Sequence, residues 1–402
     1  MFRSSISVFK LTLAVMILAE FVVPSDALAL PVFARQYKVP CSSCHSAIPR
    51  RNEYGDAFFK NGYQWPGESG TTQTGTIDDA TKMRGVALYE GLLQSDLGLG
   101  LLIGMSGSYV DDPQVVESLQ LGTPSLKLVT GGKLGSSFSY YGTWSGGSSF
   151  NEVTLNWNQI FGNRLLNARI GKFEQQTTLF KSNEALLGQY IHGTRAMTGH
   201  SVTKSRLGGE LYGLLGQRFH WALGVVRNSG GASKTDAYYQ LSYKFGGATF
   251  DGEEPDISLD EPSVWEDMHF TLAHWGYLGK VDDIDGTVTA DIRRLGLDFK
   301  YHWNAFSLWG GGVLGLDRDR TLDADHTHLT GFAEISYAVY SWLIPIYMVQ
   351  VQDASSLERL YMQHEAGVVV LVQENLRLKA KYIYTDDLTQ NERAEIQILF
   401  GM

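Results

Sequence analysis

Apolar and polar residues alternate with a period of two along most of the chain, and this alternation limits the fold more than any other feature. In RLGLDFKYHW, Leu295 and Leu297 share one face, whereas Asp298 lies on the other. The pattern recurs in FHWALGVV at 219–226 and in LRLKAKYIYT at 376–385. A period of two is typical of β-strands whose two faces meet different surroundings. The chain is therefore predicted to be mainly β.

The chemistry of the two faces indicates a membrane barrel. The chain has 44 glycines, 20 tyrosines, 19 phenylalanines and 9 tryptophans. Aromatic residues cluster at the segment ends on the apolar face, and the other face carries charges and glycines. An apolar face toward lipid and a wet lumen explain this division. We predict an outer-membrane β-barrel of roughly 16 antiparallel strands over residues 81–402. A periplasmic β-sandwich is the alternative, since its strands also alternate.

The connections between the segments predict which barrel end faces the periplasm. Short turns at 161–164 and 216–218 alternate with long polar loops at 174–205 and 317–328. Outer-membrane barrels place short turns in the periplasm and long loops outside, and an even strand number puts both chain ends on the periplasmic side. The acidic stretch 246–264 is long, yet this scheme places it in the periplasm.

Residues 1–29 have the pattern of a secretory signal peptide. Arg3 and Lys10 precede the apolar run LTLAVMILAEFVV, and the small-residue cleavage signal ALA follows. A membrane anchor is the alternative, but the run is shorter than the about 20 apolar residues a bilayer needs, and Glu20 interrupts it. We predict an exported protein whose mature chain starts at Leu30.

The only two cysteines of the chain, Cys41 and Cys44, stand in CSSCH directly before His45. A disulfide would close a very small loop and contribute little. A zinc site needs about four ligands, and only these three are local. In C-x-x-C-H, the thiols form thioethers with haem vinyl groups and the histidine is the proximal iron ligand. We predict one covalent haem c and assign no catalytic residue.

Residues 30–80 are predicted to form a small α/coil cytochrome domain that ends in a Gly/Thr/Ser linker. Phe58 and Phe59 belong to a short amphipathic helix, and the glycine of NGY at 61–63 caps its end. So small a domain buries too little surface to be stable alone. We expect it to lie as a plug in the barrel lumen, where an outside donor and an inside acceptor both approach the haem.

Four sequence blocks resemble the fused cytochrome–porins of iron-oxidising bacteria, a family of outer-membrane monohaem cytochromes. They are Ala-Leu-Pro at 29–31, FARQ at 33–36, CSSCH at 41–45 and GDAFFKNGY at 55–63. The resemblance implies oxidation of extracellular Fe(II) and transfer of the electrons to a periplasmic c-type cytochrome. Whether the chain is then an enzyme, an iron:cytochrome c oxidoreductase, is left open by its residues.

Charged residues suggest further binding partners. Arg35, Arg50 and Arg51 flank the haem motif and are candidates to pair with haem propionates; solvated surface charges are the plainer interpretation. The loop DRDRTLDADHTH at 317–328 combines carboxylates with imidazoles, which suits Fe(II), although outer loops are commonly acidic. The formal net charge of −10 argues against nucleic-acid binding.

The sixth haem ligand is not evident within the cytochrome segment. Residues 30–80 contain no methionine and no histidine apart from His45, whereas electron-transfer haems usually hold a second strong ligand. A barrel residue is one solution; an open or water-bound site and the local Lys38 or Lys60 are others. The barrel candidates are Met83, Met105, His220 and His302.

Two rival functions use the same architecture. One is a conduit that passes electrons outward to an extracellular acceptor, and the direction depends on a redox potential that the sequence does not give. The other is a solute porin in which the haem is accessory.

Overall fold

The structure is a computed structural model, and it describes part of the chain. Within that part, no helix is long and apolar enough to cross a membrane. The predicted signal peptide, Arg35 and Met83 lie outside the described residues. The described residues are 32–33, 41–64, 98–110, 118–135, 137–182, 184–188, 190, 201–227, 234–252, 268–282, 288–354, 359–373, 375–386 and 392–401.

The region around the cysteine motif has its own small fold. A 3₁₀ turn at Cys41–Ser43 leads into a short antiparallel ladder of β1 (His45–Ala47) and β2 (Arg50–Arg51), and helix α1 (Glu53–Lys60) follows. The helix ends where Gly62 adopts a left-handed backbone with φ of 66°. The predicted glycine cap is confirmed, because glycine takes this conformation without steric cost.

Seventeen strand segments follow in the described part of the chain, and hydrogen bonds between neighbours close them into one antiparallel barrel. They are β3 (Leu99–Val110), β4 (Ser118–Leu121), β5 (Ser125–Leu134), β6 (Phe138–Trp144), β7 (Glu152–Trp157), β8 (Asn167–Phe173), β9 (Arg206–Leu215), β10 (Phe219–Arg227), β11 (Thr235–Gly246), β12 (Met268–Asp282), β13 (Val288–Trp303), β14 (Phe306–Asp319), β15 (Ala324–Tyr337), β16 (Leu343–Ala354), β17 (Arg359–Gln373), β18 (Leu376–Thr385) and β19 (Arg393–Gly401).

The barrel has sixteen strands, because two of the segments share one neighbour. β4 pairs with one half of β3 and β5 with the other half, so together they act as one interrupted strand. β19 pairs with β3 and closes the ring. The predicted barrel of about sixteen strands is confirmed, and an open β-sandwich is excluded.

Alternation along the strands gives the barrel an apolar outside and a polar inside. On β13, Leu295 and Leu297 are 45% and 54% exposed on the outer face. Asp298 and Lys300, on the opposite face, are 0% and 6% exposed. β10 and β18 show the same division, as predicted. This is the arrangement of a barrel surrounded by hydrocarbon.

The two ends of the barrel differ in their connections. Gly401 pairs with Leu102, so the last strand ends where the first begins. Tight turns at 216–218 and 304–305 lie at this end, which we call the short-turn end. The predicted long loop at 317–328 is wrong: β14 and β15 run through it and leave a turn at 320–323.

The predicted outer loop at 174–205 is also corrected, because its described part folds into the lumen. The backbone N–H of Leu179 donates to Asp298 at 2.9 Å, and the Gln240 amide donates to the Thr177 carbonyl at 3.1 Å. We call residues 174–190 the inward loop. Burial of its apolar side chains explains the inward course, since solvent would otherwise surround them. They are Leu179, Phe180, Leu186, Leu187 and Tyr190.

Residues 41–64 occupy the lumen beside the inward loop, and we call them the plug. The Ile48 carbonyl accepts from Arg377 on β18 at 2.6 Å, and the Gly62 carbonyl accepts from Ser139 on β6. Glu53 pairs with Lys244 on β11. Contacts with strands spaced around the ring enclose the plug within the barrel, and each lies near the short-turn end.

Candidate functional site

The plug holds both cysteines in the reduced form. Cys41 is buried and Cys44 is half-buried, and no disulfide joins them. The backbone N–H of Cys44 donates to the Cys41 carbonyl at 3.2 Å, so one tight turn contains both residues. Burial and the nearby Cys41 raise the pKa of Cys44 to about 12. The Cys44 thiol is therefore protonated at pH 7, and the disulfide alternative is not realised.

A contact with the backbone of Arg50 orients the His45 ring. Its Nδ1 lies 3.3 Å from the Arg50 carbonyl, and with the proton on Nδ1 the ring donates there and leaves Nε2 as the metal-binding nitrogen. Burial lowers the pKa of His45, and the bond to the Arg50 carbonyl offsets this only in part. The imidazole is therefore neutral at pH 7. Two thiols in one turn and a neutral, oriented imidazole fit a covalent haem.

Buried ion pairs dock the plug on the barrel and on the inward loop. Arg50 pairs with Glu334 on β15, and its guanidinium stacks over Trp309 at 4.0 Å. Arg51 pairs with Glu184 of the inward loop. Their positive charges are thus matched by protein carboxylates, so the expected pairing of these two arginines with haem propionates is not supported.

Glu53 on α1 adds a third docking point. It pairs with Lys244, and the His269 Nε2 lies 2.9 Å from its carboxylate. Burial by itself raises the pKa of Glu53, but the charges of His269 and Lys244 outweigh burial and hold that pKa well below its usual range. The carboxylate stays ionised and keeps α1 on the wall.

The barrel candidates for the sixth ligand fall on different faces. Met105 is 55% exposed and pairs across β3 and β19 with Ile398, on the lipid-facing side. The prediction of Met105 is therefore wrong, because the barrel wall separates its side chain from the plug. His220 is fully buried on the lumen face, and His302 also faces the lumen. The predicted orientation of both histidines is confirmed, and ligation by either stays a prediction.

The structure adds His269, which sequence reasoning missed. Its ring stacks on that of His302 with centroids 5.5 Å apart. A cavity at the short-turn end lies between the plug and this wall, and Ser46, His269 and His302 are among its lining residues. The alternation in MHFTLAHW at 268–275 puts His269 on the lumen face, so the pattern was sufficient to find it.

The predicted Fe(II) site at 317–328 is not formed. Asp317 is buried and paired with Arg294, whereas Asp323 pairs with Arg318 at the surface at 2.8 Å. Among the described residues, no group of three or more His, Cys, Asp or Glu side chains could hold a metal ion.

Four polar side chains share the lumen face of neighbouring strands near the point where the barrel closes. Cross-strand pairing sets Gln397 opposite Ser106, and Ser108 opposite Gln120, on the lumen face of β19, β3 and β4. These side chains are exposed or half-buried. We call these four residues the polar strip.

Comparison with known proteins supports the fold. No family model and no curated protein matches the chain. The anion-selective porin from Comamonas acidovorans is similar in structure, with 12% identity, a TM-score of 0.57 and coverage of 76% of this chain and 98% of the porin. The outer membrane channel DcaP of Acinetobacter baumannii has 10% identity, a TM-score of 0.53 and coverage of 76% and 97%. Salmonella typhi OmpF, in complex with daunomycin, has 12% identity, a TM-score of 0.54 and coverage of 76% of this chain and 97% of OmpF. The chain therefore has the fold of outer-membrane porins.

Proposed function

We propose that the chain is an outer-membrane electron-transfer protein in which a porin-like barrel houses a monohaem c-type cytochrome as its plug. Enclosure of the cysteine motif inside the lumen carries the proposal. Cys41 and Cys44 would hold the haem covalently, and His45 would be the proximal ligand. Haem iron exchanges one electron between its ferric and ferrous states.

Extracellular Fe(II) is the proposed donor and a periplasmic c-type cytochrome the proposed acceptor, both by resemblance of the N-terminal blocks. Each Fe(II) that becomes Fe(III) would reduce one ferric haem, and the acceptor would reoxidise it. The plug lies at the short-turn end, which the barrel scheme assigns to the periplasm. That position favours an acceptor that approaches from the periplasmic side.

The first experiment tests haem attachment. The full chain, produced with a haem-attachment system, should retain haem through acid–acetone extraction. Cys41→Ala with Cys44→Ala should lose all covalent haem, whereas Ser42→Ala, which keeps C-x-x-C-H, should retain it. Haem that persists in the double variant would overturn attachment at this motif.

The second experiment tests the donor and the direction. Stopped-flow mixing of the oxidised protein with Fe(II) should give ferrous haem spectra at a rate proportional to Fe(II) concentration. No reduction at any pH would remove the Fe(II) assignment. A haem potential well below that of the Fe(III)/Fe(II) couple would instead favour outward electron export.

A solute porin is the second candidate, and the polar strip favours it. Polar side chains on the lumen face are what a hydrated solute path needs, and the similar structures are porins. Planar-bilayer recordings separate the two functions: a steady conductance of the intact protein supports the porin, and its absence supports the plugged electron carrier.

A further inference from the structure

Asn52 accepts the first backbone bond of helix α1 from the Asp56 N–H, and four further hydrogen bonds connect it to the cysteine turn and to the helix. Its Nδ2 donates to the carbonyls of Ser42 and Ser43 at 2.9 and 3.1 Å. Its Oδ1 accepts from the Gly55 N–H at 2.9 Å, and its backbone N–H donates to the Cys44 carbonyl at 3.0 Å. The residue is only 7% exposed.

These bonds divide into two tasks. The Oδ1 bond is an N-cap that satisfies a free N–H of the first helical turn. The Nδ2 bonds fix the two residues that separate the cysteines, and the backbone bond fixes the second cysteine. The Nδ2 bonds and the backbone N–H bond therefore stabilise the cysteine turn and not the helix.

We propose that Asn52 is a positioning residue for the haem site: it holds the C-S-S-C turn so that both thiols and His45 meet the same haem. The inference rests on the proposed function. It explains why an amide is needed at this position. Aspartate and serine cap helices about as well as asparagine. Neither has the two side-chain N–H groups that donate to the carbonyls of Ser42 and Ser43.

The decisive variant is Asn52→Asp. The carboxylate keeps the N-cap, so α1 should still form and the barrel should unfold at the wild-type temperature. Loss of the two donors, with a charge placed against two carbonyls, should lower covalent haem per polypeptide by at least about fivefold, the factor that one net hydrogen bond represents. The remaining haem should have an altered ferric spectrum and midpoint potential.

Two further variants complete the test. Asn61→Asp, at the other end of α1, loses an Nδ2 bond to the Ala57 carbonyl and should keep wild-type haem content and spectrum. Asn52→Ala should lose both the cap and the turn bonds. If the wild type holds covalent haem and Asn52→Asp matches it in haem content, spectrum and potential, the positioning role is overturned and the proposed function stands. If the wild type holds no covalent haem, the proposed function itself fails.

Discussion

Gly55 lies directly against the backbone carbonyl of Cys44. A β-carbon at Gly55 would come within 2.1 Å of that oxygen, and the obstacle is backbone rather than a movable side chain. Helix α1 therefore approaches the cysteine turn as closely as it does only because residue 55 has no side chain.

The first prediction follows from this contact. Gly55→Ala should force α1 away from the cysteine turn and lower covalent haem severalfold, while the barrel, whose strands do not depend on α1, still assembles. Haem content and the gel shift between unheated and boiled samples measure the two effects. Gly147→Ala is the control, since a β-carbon there meets nothing within 4 Å. Equal haem content in the two variants would contradict the prediction.

The barrel was predictable because its cause is local. Each strand carries its own alternation, so Leu295 and Asp298 indicate their faces without knowledge of the neighbouring strands. The end of α1 at Gly62 was an equally local signal, carried by the NGY segment.

Other features depended on partners far away in the chain. The ion pair of Arg50 with Glu334 joins residues 284 positions apart, and no local pattern marks them as partners. The inward loop has the length of an outer loop, and only its apolar side chains, such as Leu186 and Leu187, indicate that it folds into the lumen. Residues 317–328 belong largely to two strands, although their acidic composition is typical of a loop. The composition is polar because Asp317 and His328 face the polar lumen.

The second prediction concerns the buried pair of Arg50 and Glu334. Glu334→Gln leaves a buried guanidinium without its counter-charge and should destabilise plug docking by about 3–5 kcal/mol. The double variant Arg50→Met, Glu334→Leu removes both charges and should cost much less. Protease accessibility of the plug in the assembled barrel measures docking. A double variant as accessible as Glu334→Gln would count against a charge-based explanation.

The third prediction is a pH dependence set by Glu174 of the inward loop. Burial raises its pKa, Lys181 opposes this, and the charge of Glu152 raises it further, to about 7. The folded protein thus keeps this proton up to about pH 7, while the unfolded chain loses it near the ordinary value of 4.5. Because the folded pKa is higher, this group's contribution to stability is full below pH 4.5 and falls as the pH rises through 7.

Glu174→Gln has no proton to lose, so it avoids the loss of stability that the wild type suffers as the pH rises. The variant should match the wild type near pH 4.5 and be more stable at pH 9, by at most about 3 kcal/mol for a shift of this size. Urea unfolding at the two pH values measures it, with Glu392→Gln, which is half-buried before β19, as control. A variant that is no more stable than wild type at pH 9 would refute a protonated Glu174.

The last prediction asks whether the docked plug closes the lumen. Arg50, Arg51 and Glu53 hold the plug through buried pairs with Glu334, Glu184 and Lys244. Substitution of all three residues by serine removes these ion pairs and leaves the chain length and the hydrogen bonds between the barrel strands unchanged. The plug should then leave its position in the lumen more often. Planar-bilayer recordings should then detect open-channel events that are larger and more frequent than in the wild type. Arg318→Ser is the matched control, because its pair with Asp323 is exposed and such pairs contribute about 0–1 kcal/mol. The same steady conductance in the triple variant, the control and the wild type would mean that the plug does not close the barrel, and the porin function would then be favoured.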